Sequence, residues 1–266
     1  MIRDITIGQY YAEDSVIHTL DPRTKLMGVL IYVVALFLVK NSYVYFIFLA
    51  LILMLYRVSK VPLSFLLKGL RGIILLLIFT FIFRLNSTPG AEIAHIWKIT
   101  VTEEGMAKAI SLTSRIALMI VGASLLSYTT TPKEMADGME KAFSFLEKLH
   151  IPIHDMAVIV MIAFRFIPIM LEEMNVLMDA QAARGVEFDK CSILKKCKNV
   201  FTLLMPLFLS TVRRASDLAM AMEARGYSGD GKTSKMYPLA YKHCDTMAYI
   251  GMAGLLIIII ALRIIM

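Results

Sequence analysis

Apolar residues along this chain fall in blocks instead of alternating with polar ones. The blocks are 26–39, 43–56, 72–83, about 109–128 and 247–262. A helix that crosses a bilayer needs about 20 residues, with a range of about 17–25. The last two blocks reach or approach that length. The first three are short and must recruit flanking residues, such as 24–25 or 66–71, or else tilt and thin the bilayer. Blocks of this kind favour membrane helices over a membrane barrel, whose strands alternate. The predicted fold is all-α, a polytopic membrane protein with about five transmembrane helices and an added region of long helices.

That added region covers 132–244. Thr131-Pro132-Lys133-Glu134 reads as a capping box with proline at the first helical position, so a helix begins there. His150-Ile151-Pro152 ends it. Two longer helices follow, about 153–184 and about 192–225, and Pro168 and Pro206 should kink them. Although 156–171 is apolar enough to enter a membrane, both helices are read as cytoplasmic or boundary elements. The organisation is therefore 1–131, N-terminal membrane helices; 132–244, the long-helix region; and 245–266, a C-terminal membrane helix.

Composition agrees with a membrane setting. The 266 residues are 58% hydrophobic, with a mean hydropathy of +0.69, against about 45–50% apolar in soluble domains. The net charge is +7, and the positions of the cations explain it. With the N-terminus inside, twenty-two Lys and Arg fall on inner segments and four (Lys40, Arg84, Lys98, Arg263) on outer ones. The short loop 57–71 alone points the same way, so the N-terminus and the long helices are expected in the cytoplasm. Nucleic acid is excluded as a partner, because the basic residues are scattered among apolar helices with no aromatic platform. Cys191, Cys197 and Cys244 have no paired spacing for zinc or a disulfide framework and read as reduced, inert thiols. Residues 1–25 are polar, and the apolar run from Leu26 has no cleavage site of signal-peptide type.

The long helices end alike, in Gln181-Ala182-Ala183-Arg184-Gly185 and Met222-Glu223-Ala224-Arg225-Gly226, 41 residues apart. Glycine after the last turn is the usual terminator, and arginine there suits the negative end of the helix dipole. One such ending is simply a good cap. Two closing successive helices of similar length point to docking. Small alanine lets a partner approach, and the guanidinium offers a fork of donors to carboxylates. The candidate docking residues are Ala183, Arg184, Gly185, Ala224, Arg225 and Gly226.

In this order, the motifs of the chain resemble the T component of energy-coupling factor (ECF) transporters over almost its whole length. They begin with Gly8-Gln9-Tyr10-Tyr11 and Leu20-Asp21-Pro22-Arg23-Thr24-Lys25. They continue with Arg165-Phe166-Ile167-Pro168, Leu171-Glu172-Glu173, Pro206-Leu207-Phe208 and Arg213-Arg214-Ala215, and close with Ala221-Met222-Glu223-Ala224-Arg225-Gly226-Tyr227. The resemblance implies that Arg184 and Arg225 end coupling helices, each inserted into one of two ABC-type ATPase subunits. It also implies a separate S component that binds the substrate, a vitamin or other micronutrient, in a prokaryotic cell membrane. ATP would be bound by the ATPases, so this chain is expected to be non-catalytic and without a cofactor of its own.

Ten of the 19 methionines, among them Met139, Met156, Met205 and Met220, lie between 135 and 222 in the long-helix region. They suit either core filling or a surface that repacks against several partners. The stretch from Gly226 to Thr233 matches the phosphate-binding pattern G-x-x-x-x-G-K-[ST]. A working loop of that kind follows a strand and opens a helix, whereas this one follows a helix end. Arg115 and Arg165 stand within apolar runs and are expected to be structural, Arg115 by snorkelling or pairing with a carboxylate and Arg165 at the membrane boundary. His150, His154 and Asp155 flank a helix junction without a second ligand set and are not read as a metal site. A self-sufficient permease would want repeats and broken helices, and a membrane enzyme would want clustered acids and histidines. Neither pattern is found in the sequence.

Overall fold

The computed structural model describes residues 10–39, 43–87, 92–96, 99–149, 152–186, 193–229 and 239–265. Lys40, Lys98, His150, Cys191 and the Gly8-Gln9 pair lie outside them. The described elements are α1 (Pro22–Leu38), α2 (Val44–Val58), α3 (Leu63–Arg71), α4 (Ile74–Ser87), β1 (Glu92–Ile96), β2 (Ile99–Thr102), α5 (Glu103–Thr129), α6 (Pro132–Ala142), a 3₁₀ segment (Ser144–Leu149), α7 (Ile153–Ala183), α8 (Ile193–Ala224) and α9 (His243–Ile265). The chain is a helical membrane protein, as its apolar blocks predict. By length and composition α5, α7 and α9 can each cross a membrane, and α3 with α4 makes a fourth, bent candidate. Expected at the boundary, α7 thus also qualifies as a span.

These elements form two compact units. One contains α1 to α6, the two strands and α9; the other contains the 3₁₀ segment, α7 and α8.

The first unit has a core of aromatic and aliphatic residues in which Leu36, Phe48, Ile52, Tyr56 and Tyr128 are buried. Hydroxyls placed in hydrocarbon need partners. Tyr32 donates to the Leu118 carbonyl at 3.0 Å, and Tyr128 to that of Phe65 at 3.2 Å. Close approach of α1 and α5 depends on Gly122, where an added Cβ would lie 2.4 Å from the Tyr32 ring. Outward faces stay apolar, with Phe37, Phe46, Leu75 and Ile257 exposed, as lipid contact requires.

Arg115 proves structural, although its partners are not carboxylates. Half-buried, it donates to the Val39 carbonyl at 2.8 Å and, from Nε and Nη2, to the Tyr45 hydroxyl at 3.1 and 2.9 Å. It thereby supplies a cation at the C-terminal end of α1, whose last turn has none.

The Leu20–Lys25 motif forms a buried joint between the start of α1 and the start of α9. Asp21 caps α1 by accepting from the Arg23 amide at 2.9 Å, with Pro22 at the first helical position. The Asp21 amide in turn donates to Asp245 Oδ1 at 2.8 Å, while the Lys242 amide donates to Asp245 Oδ2 at 2.7 Å. Asp245 is only 1% exposed. Arg23 lies 5.1 Å over the Tyr241 ring, and Lys25 Nζ donates to the carbonyls of His18 and Thr129. A second motif residue, Tyr11, is held through its amide to the Tyr128 carbonyl at 2.9 Å.

Two local outcomes differ from the sequence reading. The helix opened by Pro132 stops at Ala142 and continues as the 3₁₀ segment. Its predicted capping box is present in both directions: Thr131 N donates to Glu134 Oε2 at 3.1 Å and Glu134 N to Thr131 Oγ1 at 3.3 Å. Between α4 and α5, where the sequence reading assigned no element, β1 and β2 pair antiparallel, with His95 opposite Thr100 and Ile96 opposite Ile99. The β-branched run Ile99-Thr100-Val101-Thr102 favours an extended backbone.

Candidate docking helix ends

The ends of α7 and α8 are the candidate site, and they are built alike. At the first, the Gly185 amide donates to the Ala182 carbonyl at 2.9 Å and the Val186 amide to that of Gln181 at 3.0 Å. At the second, Gly226 donates to Glu223 at 2.9 Å and Tyr227 to Met222 at 3.0 Å. Both are complete Schellman motifs, with Arg184 and Arg225 in the cap position. Gly185 and Gly226 have φ of +88° and +78°. A Cβ at either would meet nothing within 4 Å, so glycine is required by the backbone angle and not by crowding.

All six predicted residues, Ala183, Arg184, Gly185, Ala224, Arg225 and Gly226, are exposed. Among the described residues neither guanidinium has an ion pair or hydrogen bond. Two exposed cations, unpaired among the described residues, therefore stand on capped helix ends, each beside a small alanine. Chemically they can grip carboxylates in a groove that admits a helix tip.

A clamp that the sequence reading missed joins the two helices. Arg214 Nε donates to Glu173 Oε2 at 3.0 Å, and the Ser210 hydroxyl donates to Glu173 Oε1. Nearby, Thr211 Oγ1 donates to Met170 Sδ at 3.2 Å. Arg214 and Glu173 stand 41 residues apart, as do Thr211 and Met170, and the terminal arginines share that offset. This shared offset was the available signal. Around the clamp α8 exposes Phe201, Met205, Phe208 and Val212, and Met139, Met156 and Met220 are exposed as well. Arg165 is exposed on α7 and has no partner among the described residues.

The phosphate-loop match begins on the glycine after α8, with Gly229 also at positive φ (+74°). Residues 230–233 of that match lie outside the described residues. Among the described residues no three His, Cys, Asp or Glu side chains gather as a metal site. Cys244 is a free, exposed thiol.

Fold and helix ends together define a polytopic α-helical membrane protein with two exposed, identically capped helix ends. A sequence profile described as Cobalt transport protein (CbiQ) matches residues 13–237. The chain is 38% identical over 264 residues to the energy-coupling factor transporter transmembrane protein EcfT of Acidaminococcus fermentans, covering 99% of this chain and 98% of that protein. It is 42% identical over 253 residues to the protein of that name from Clostridium kluyveri, covering 93% of each. With that of Bacillus subtilis it shares 38% over 264 residues, covering 99% of this chain and all of the relative. The chain belongs to this family of energy-coupling factor transporter transmembrane proteins.

Proposed function

We propose that this chain is the T component of an ECF-type ABC transporter and works by docking. The exposed, identically capped ends of α7 and α8 carry the reading, since two matched tips call for two matched receptors. Arg184 enters a groove on one ABC-type ATPase subunit and Arg225 a groove on the other. Both ATPases bind and hydrolyse ATP on the cytoplasmic side, where the N-terminus of this chain also lies. Their closure moves α7 and α8, and that motion passes to a membrane-embedded S component holding the vitamin or micronutrient. This chain then needs no nucleotide, metal or substrate site of its own.

Three supports come from different levels. Family membership supplies the transporter context. The exposed guanidiniums of Arg184 and Arg225 supply cations whose burial against acidic partners is costly to undo. Exposed methionines and the apolar α8 stripe supply a surface that adapts to a second membrane protein.

Copurification tests the assignment. Affinity-tagged chain expressed with its operon neighbours is expected to bring down two ATPase subunits and a small membrane protein. Transport by the lone chain in liposomes would refute it.

A further inference from the structure

The turn after α2 and the short helix α3 carry Arg57, Lys60, Lys68 and Arg71, and no Asp or Glu stands between Asp21 and Glu92. Arg57, Lys60 and Arg71 are exposed, and among the described residues their side chains have no ion pair or hydrogen bond. Lys60 also occupies a position that usually belongs to glycine. It follows the cap residue Ser59 of α2, its amide donates to the Arg57 carbonyl at 3.2 Å, and its φ is +57°. At the matching positions α7 and α8 have Gly185 and Gly226. A side chain at such an angle costs free energy, and Arg57 already complements the end of the α2 dipole. A lysine kept at a strained angle points to a use for its charge.

The placement of α3 says what that charge meets. It bends by 62° from α4, with which it makes the candidate span. With α4 along the membrane normal, the nine residues of α3, about 13 Å in length, rise only about 6 Å. One face of α3 packs inward through Phe65, Leu66 and Leu70. The Phe65 ring there lies 5.3 Å from that of Tyr11 and 5.4 Å from that of Tyr128. Leu63 and Leu67 are 47% and 66% exposed, and Arg71 stands one turn beyond Leu67. Apolar side chains that enter hydrocarbon, beside cations that reach the headgroups, make an interfacial helix.

We propose that α3 and the turn before it bind an anionic membrane phospholipid. Arg57, Lys60 and Arg71 face its headgroup, and Leu63 and Leu67 lie among its acyl chains. Charge selects the lipid, because a cation beside a membrane helix favours an anionic headgroup by about fivefold. The exposed leucines tell against a soluble phosphate, which would leave them in water.

Local cross-linking tests this. The full chain with Leu67→p-benzoylphenylalanine is placed in nanodiscs of equal phosphatidylglycerol and phosphatidylcholine and irradiated. Mass spectrometry then counts each lipid attached to the peptide that contains position 67; Leu63 is the second probe position should the first variant not fold. Phosphatidylglycerol is expected to exceed phosphatidylcholine by about fivefold or more. Adding Arg57→Gln, Lys60→Asn and Arg71→Gln should bring the two lipids to equal counts, while adding Lys108→Gln should leave the preference in place. Asn at position 60 removes the charge and tolerates the positive φ. Equal counts with all four cations present would overturn the proposal, as would a preference that survives in the neutralised variant. So would cross-linking of position 67 to a partner subunit, in place of lipid, in the assembled transporter.

Discussion

Glu173 and Arg214 meet at 3.0 Å between α7 and α8, each eleven residues before the arginine that ends its own helix. At about 1.5 Å per residue, each arm from clamp to tip is roughly 16 Å long. The clamp therefore sets two arms of equal length, a geometry suited to two equivalent receptors.

The clamp should matter more to coupling than to folding. Arg214 is 45% exposed at its side chain, and a pair this open contributes up to about 1 kcal/mol. Glu173→Ala and Arg214→Ala are expected to fold and reach the membrane yet lose most substrate uptake. The exchanged pair, Glu173→Arg with Arg214→Glu, should regain part of it. Uptake by the single variants at the wild-type rate would show that the contact is incidental.

Gly185→Ala and Gly226→Ala probe the caps themselves. An L residue at these positive φ angles costs about 1–2 kcal/mol, although its Cβ would touch nothing. The last turn should fray and ATPase association weaken in pull-downs, with membrane insertion unchanged. Gly72→Ala is the control, because Gly72 has φ of −65° and open space around it.

How much of this was legible in the sequence depends on the range of each interaction. The membrane helices follow from composition over a dozen or more residues, which is why α2, α5 and α9 fall where the apolar blocks lie. Caps depend on four or five residues, so Thr131 with Glu134 and both Ala-Arg-Gly ends read directly. Pairings between distant segments leave no local trace. Nothing near Asp245 announces that it receives the amide of Asp21, and nothing near Arg115 announces Tyr45. Glu173 and Arg214 fall between these cases, since only the shared 41-residue offset connects them. The β1–β2 pair was missed because nine extended residues are too short for an alternating pattern to emerge.

Asp245 is the test of the joint between α1 and α9. Removing its carboxylate strands the buried amide of Asp21, at a cost of about 1.5–3 kcal/mol. Asp245→Ala should lower the thermal midpoint of the detergent-solubilised protein, and Asp245→Asn, which keeps one acceptor, should lower it less. Equal midpoints for all three proteins would remove the joint from the account.

Gly122 tests the contact between α1 and α5. Gly122→Val forces the Tyr32 ring away from a Cβ that would lie 2.4 Å from it, and overpacking of this kind costs about 1–3 kcal/mol. A drop in thermal midpoint is expected, with partial recovery when Tyr32→Leu is added. No change in the single variant would mean that the helices are looser than this contact implies.

The central claim is that Arg184 and Arg225 grip the ATPases from outside this subunit. Truncating an arginine whose charged partner is buried on docking costs about 2–5 kcal/mol. The decisive measurement compares ATPase copurification and substrate uptake for Arg184→Ala, Arg225→Ala and the double variant at matched membrane levels. Weakened copurification and uncoupled uptake are expected in each single variant, and near-complete loss of uptake in the double. Wild-type copurification and uptake in all three would contradict it.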